Sequence, residues 1–145
     1  MNFIVVLRAA AAPLTLGAAL APALADDADT CRKASGDDSI AACSRLLARN
    51  PKDAGAYYNR GYAYEWRKGD HDRAIANFDQ AIILNPKYAL AYADRGFSYE
   101  HKGEWDRAFA DLDQAILFDP KLPDAYNGRA NVYKQKGEYD RAIAD

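Results

Sequence analysis

Basic charge is not in excess in this chain. Nineteen Lys and Arg stand against 21 Asp and Glu, a formal net charge of −2. Such a balance supplies no field that would gather nucleic acid. Histidine and cysteine are scarce, with two of each. His71 and His101 lie far apart in the chain, and no Cys/His or His/carboxylate cluster falls at ligand spacing. The sequence therefore predicts no metal site. It also lacks a G-x-S-x-G, a phosphate loop and a Cys–His pair, so neither an enzyme nor a cofactor is expected. Runs of β-branched residues are missing beyond the first few positions, which leaves helix as the favoured local structure.

Long apolar runs are confined to residues 1–25, which carry no acid and one base, Arg8. Ala23, Leu24 and Ala25 form a small-x-small site just before Asp26 and Asp27. The segment reads as a secretory signal peptide cleaved after Ala25, although its basic start is short. The alternative is an uncleaved anchor. Arg8 and Pro13 interrupt the run, leaving it short of the roughly 20 apolar residues that a span needs. Ala28, Asp29 and Thr30 are too polar for a lipoprotein processing site before Cys31. The expected product is exported and soluble, with no stable membrane span after cleavage. A bacterial periplasm fits this leader, and secretion from another kind of cell stays open.

What the chain has in abundance is repetition. Residues 103–120, GEWDRAFADLDQAILFDP, echo residues 69–86, GDHDRAIANFDQAIILNP, at a spacing of 34. The motif begins again at Gly137 as GEYDRAIAD. Recurrence at such a period marks a stacked repeat. Clear copies span 54–88, 89–122 and, in part, 123–145, with a degenerate hairpin at 26–53. Each copy is two helices joined by Gly69, Gly103 or Gly137, where a helix end can take positive φ. The first copy carries one extra residue, between Glu65 and Gly69. On the first helices, Tyr57, Gly61 and Tyr64 share a stripe, as do Tyr92, Gly96 and Tyr99, and Tyr126, Ala130 and Tyr133. The small residue lets two helices approach closely. On the second helices the stripes are Ala74, Phe78, Ala81 and Ala108, Leu112, Ala115. Asp72, Asp106 and Asp140 meet the positive end of the helix dipole. In the early copy a helix from 39 to 49, capped by Asp37 or Asp38, ends at Asn50 before Pro51. A short helix around 28–34 precedes it.

This pattern resembles a tetratricopeptide repeat: aromatic, small residue and Tyr on one helix, then G-[DE]-x-D-x-A, an aromatic or Leu, Ala, and [ND]-P. It covers 54–145 well and 39–53 in half. The resemblance implies an all-α solenoid of antiparallel hairpins stacked into a right-handed superhelix, with the last hairpin incomplete. It also implies a concave groove, lined by the first helices, that binds a protein or peptide segment. Such proteins are mostly scaffolds and adaptors.

The groove face opposite the packing stripe carries Tyr58, Asn59, Tyr62, Glu65 and Trp66 in the first copy. In the second it carries Ala93, Asp94, Phe97, Glu100 and His101, and in the third Asn127, Gly128, Asn131 and Lys134. An aromatic floor with acidic neighbours suits an extended segment with apolar side chains and some basic character. The alternative is an ordinary exposed helix face, which Tyr tolerates. Asp94 and Glu100 stand where a clamp on a C-terminal carboxylate would need attraction, so a clamp of that type is not expected. Arg60, Arg95 and Arg129 recur before the small residue. Their periodicity favours stems laid along the core and ion pairs with Asp79 or Asp113 over a basic ladder for an anion.

Cys31 and Cys43 flank the turn at Gly36 and Asp37 nearly symmetrically. In an exported protein this predicts a disulfide rather than two reduced core residues, with a loop-closure effect of roughly 3 kcal/mol. A second reading makes the chain a structural or oligomerisation module, or a truncated relative of a longer protein. Tyr126, Tyr133, Tyr139 and Ile143 would be poorly covered by the short last helix, and a second copy could pack there.

Overall fold

The computed structural model describes residues 20–33, 36–66 and 69–144, with side chains from residue 26 onward. Eight helices pair in chain order. These are α1 (Leu20–Lys33) with α2 (Asp37–Arg49), α3 (Ala54–Trp66) with α4 (His71–Leu84), α5 (Ala89–His101) with α6 (Trp105–Phe118), and α7 (Pro123–Gln135) with α8 (Tyr139–Ala144). Each helix packs on its neighbours in the chain. The odd-numbered helices also touch one another in turn, α1 on α3, α3 on α5 and α5 on α7, while the even-numbered helices make no such contacts among the described residues. One row of helices is thus crowded and the other splayed, which is the expected all-α repeat stack. It puts α3, α5 and α7 on the inner side.

The core is built largely from alanine. Ala56, Ala63, Ala74, Ala81, Ala91, Ala93, Ala108, Ala115 and Ala125 are all buried, with Phe78 and Leu112 as the large side chains sealed among them. Those two side chains need notches. A Cβ on Gly61 would stand 2.8 Å from the Phe78 ring, and one on Gly96 would stand 2.9 Å from Leu112 and 3.3 Å from the Ala108 carbonyl. The recurring small residue is therefore a close-approach position, as its spacing predicts. Gly128 is another. Its spacing puts it on the groove face, but a Cβ there would stand 2.8 Å from both Leu112 and Phe97. The third copy buries at that position what the first two turn towards the groove.

The turns follow the repeat. Gly36, Gly69, Gly103 and Gly137 all take φ between 64° and 78°. Asn50, Asn85 and Asp119 cap the ends of α2, α4 and α6. Each side-chain oxygen then accepts the N–H of Lys52, Lys87 or Lys121 two residues on. The [ND]-P-K run is a self-supporting turn of the Asx kind. In the early copy the N-cap is Gly36, without a side-chain bond. Asp37 and Asp38, expected as caps, are instead the first helical residues, where their charge favours the helix dipole. Its first helix is longer than expected and starts at Leu20, upstream of the junction after Ala25. Residues 1–19 of the leader and the extra residue of the first copy, at 67–68, lie outside the described residues. The expected disulfide joins Cys31 to Cys43, with Cα atoms 4.8 Å apart. Ser39 donates to the Cys31 carbonyl at 2.9 Å beside it. Tyr126 and Tyr133 are half-buried, while Tyr139 and Ile143 are exposed.

The arginine ladder clips one hairpin to the next. Arg95 donates two bonds to Asp111, both 2.7 Å, and one back to Asp79. Arg129 donates to Asp113 at 2.6 Å, and Arg60 donates to Asn77 and Ser44. The guanidinium groups also lie over Tyr57, Tyr92 and Tyr126. Asp111, a partner the sequence reading did not name, is nearly sealed from water. Burial pushes its carboxyl up, against the pull of Arg95. Replacing Arg95 by Leu strands that carboxylate. We expect Arg95→Leu to cost about 3 kcal/mol in urea unfolding. The pair Arg95→Leu/Asp111→Leu should recover most of the loss.

Candidate functional site

On the inner side the aromatic residues of α3 run at four-residue spacing. Tyr58, Tyr62 and Trp66 follow one another with ring centroids 6.3 and 5.9 Å apart. Tyr58 is anchored from below by Phe78 and Tyr88, at 5.9 and 5.0 Å. Its hydroxyl faces Asp94 on α5, and burial pushes its pKa up. Tyr62 and Trp66 are free of such cover and are 45% and 72% exposed. Together with Phe97 they form the apolar wall of a pocket of about 580 Å³ between α3 and α5. Its polar wall holds Glu65, Asp94 and Asp124, together with His71 and His101, and Gly69 also lines it.

Three carboxylates converge on this pocket, and their environments differ. Asp94 is pushed up to about 6, first by burial and then by the nearby charges of Glu65 and Asp124, against the hydrogen bond from Tyr58. Its Oδ2 is buried and finds no hydrogen-bond partner among the described residues. Buried polar atoms are normally paired, so an orphaned one in a cavity wall points to a group that the cavity can receive. Glu65 is held more firmly. Ser98 donates to its Oε2 at 2.6 Å, and His71 Nδ1 lies 2.9 Å from its Oε1. The His71 and His101 rings stack with centroids 5.0 Å apart. His101 Nδ1 is 2.9 Å from the Phe97 carbonyl.

Six of the expected groove residues line this pocket: Tyr62, Glu65, Trp66, Asp94, Phe97 and His101. Tyr58 lies behind its wall. Asn59 and Glu100 are half-buried outside it, and burial pushes the Glu100 carboxyl up. Asn127, Asn131 and Lys134, on α7, do not reach it. The pocket is thus made by the first two copies with only Asp124 from the third.

His71 and Asp124 were missed. His71 occupies the place of Trp105 and Tyr139, so it reads as a packing residue. The expectation that no His/carboxylate cluster exists is corrected here, because the fold brings Glu65, His71 and His101 together. A signal for this was present in the charges. Lys102 pairs with Asp72 and Lys136 with Asp106, each 30 residues apart. His71 and His101 stand at that same separation.

Three family models described as tetratricopeptide repeat match the chain, over residues 32–89, 62–127 and 112–144. No curated protein matches it. Among solved structures it is similar to MamA, with 30% identity and a TM-score of 0.70 over 74% of this chain and 63% of that one. It is also similar to TTC0263, a thermophilic TPR protein in Thermus thermophilus, with 30% identity and a TM-score of 0.65 over 74% and 60%. A third similar structure is the second TPR domain of human RPAP3 in complex with the HSP70 peptide SGPTIEEVD. There the identity is 25% and the TM-score 0.62, over 66% of this chain and 79% of that one. The chain thus spans a little under two thirds of the length of MamA and TTC0263.

The displaced ionisation of Asp94 has a measurable consequence. Its folded carboxyl titrates above its unfolded value, so folding takes up a proton between about pH 4 and pH 6. The stability it contributes is complete below pH 4 and is lost by the time pH has risen past about 6. Asp94→Asn cannot lose it. In urea unfolding the variant should gain on the native protein by about 3 kcal/mol between those limits and hold that gain at higher pH. A gap that does not change with pH would contradict the assignment.

Proposed function

Since the chain belongs to the tetratricopeptide repeat family, we propose that it is a non-catalytic scaffold that holds a protein or peptide segment in the pocket between α3 and α5. One observation carries this reading. Exposed aromatic rings and three convergent carboxylates face one concave cavity, more apolar surface than solubility requires. Tyr62, Trp66 and Phe97 would take apolar side chains of the segment. Glu65, Asp94 and Asp124 would favour a basic residue between them. The RPAP3 domain was solved with a peptide ending in Glu-Glu-Val-Asp. In this chain the carboxylates of the pocket would repel such an end. The occupant proposed here is therefore of the opposite charge.

The rest of the expected groove, Tyr58, Asn59, Glu100, Asn127, Asn131 and Lys134, would extend the contact surface to either side of the pocket without supplying its anchors. For location, the disulfide supports an oxidising compartment such as a periplasm. No described helix is long and apolar enough to cross a membrane.

A fluorescence-anisotropy panel tests the reading. Peptides that alternate apolar residues with Lys or Arg should bind, and SGPTIEEVD should not. Trp66 is mostly exposed, so Trp66→Ala should leave the melting temperature nearly unchanged. It should weaken peptide binding about tenfold, as loss of an interface anchor does. Preference for the acidic peptide, or binding indifferent to Trp66, would sink the proposal.

A further inference from the structure

Glu65 lends the groove its charge, but the two histidines packed beside it have no task there. Glu65 lies in the last turn of α3, His71 begins α4 and His101 ends α5. Each offers one ligand atom, and these atoms all lie within 4.8 Å of one another. We propose that Glu65, His71 and His101 form a binding site for a divalent transition-metal ion of borderline softness, of which Zn²⁺ is the type.

The donor set selects the class of ion. Two imidazole nitrogens and one carboxylate oxygen suit zinc and its neighbours, whereas Mg²⁺ and Ca²⁺ prefer oxygen alone. The distances fit a site that closes on its ion. Donors about 2.1 Å from a tetrahedral centre lie roughly 3.4 Å apart. Here His71 Nδ1 is 2.9 Å from Glu65 Oε1, and the ligand atom of His101 lies within 4.8 Å of both. The His101 side chain is 59% exposed and has room to turn.

The surroundings already orient the ligands. Ser98 holds the second oxygen of Glu65. The Phe97 carbonyl lies within bonding distance of His101 Nδ1. A proton on that nitrogen leaves the lone pair of Nε2 for a metal, the arrangement by which an outer carbonyl fixes a ligating imidazole. Three protein ligands leave a further position, and it opens on the pocket that Asp94 also lines. That position would take water or a donor atom from an occupant.

Packing does not ask for this cluster. The corresponding positions one repeat later are Glu100, Trp105 and Gln135, which offer no such set. The turn glycines, the core alanines and the arginine ladder return at that interval, and the two histidines do not. Glu65 is shared with the groove, whereas the two imidazoles serve the ion alone.

Calorimetric titration of tag-free, disulfide-intact protein with ZnCl₂ tests it. The chain's two histidines are both in the site, so no other imidazole competes. One Zn²⁺ per chain should bind with saturation below about 100 µM, and MgCl₂ should not displace it. His101→Gln, at an exposed side chain, should keep the melting temperature and bind at least about tenfold more weakly. Binding that survives unchanged in His71→Gln/His101→Gln, displacement by Mg²⁺, or no saturable binding would each overturn the proposal.

Discussion

The closeness of paired helices governs this structure. Where α3 meets α4 and α5 meets α6, the gap admits a Phe or Leu from one helix only because the other presents glycine. Alanine fills most of the remaining core. A core this thin contributes little per residue. A fully buried Phe or Leu is worth about 1.5–3 kcal/mol, and each of these two hairpins has one such side chain. Stability therefore has to be gathered between hairpins. The arginine ladder does this by reaching sixteen residues back and sixteen or seventeen forward along the chain. At the N-terminal end the disulfide and the pairing of buried Asp27 with Arg45 and Arg49 do it instead.

The same closeness exports the large residues of the first helices. Tyr62, Trp66 and Phe97 have no room between the paired helices and lie on the inner row. A site on that row is a consequence of how the repeat packs, and its chemistry is set by whatever the packing leaves free to vary. Phe97 shows the boundary between the two. Its ring lines the pocket and also lies against Gly128 of the next copy. The carboxylates are different. Asp94 keeps an oxygen unpaired among the described residues at a cost in folding, a cost that packing alone would remove by substitution. Strain of that kind is usual where a surface serves a ligand.

Much of this could be read in the sequence because repetition turns a local rule into a spatial one. The period of 34 located the turn glycines, the notch at Gly61 and Gly96, and the arginine partners Asp79 and Asp113, while the symmetry about Gly36 paired Cys31 with Cys43. What escaped were contacts that break the period. Gly128 aligns with Asn59 and Asp94 yet packs inward, because Phe97 and Leu112 press on it from the preceding copy. His71 replaces an aromatic packing residue and so looks structural until His101, thirty residues later, is folded onto it. Asp37 and Asp38 look like caps until Gly36, with its positive φ, takes the position before them. In each case the deciding neighbour comes from another helix or from a backbone angle, and neither is visible to residue spacing.

The proposed binding surface is the inner row between α3 and α5, with the second helices as supports. Amide hydrogen exchange with and without the tightest-binding peptide tests this. Exchange should slow across Ala54–Trp66 and Ala89–His101, with His71–Leu84 and Trp105–Phe118 little changed beyond the first turn at His71. Slowing confined to the outer faces of those second helices would contradict it.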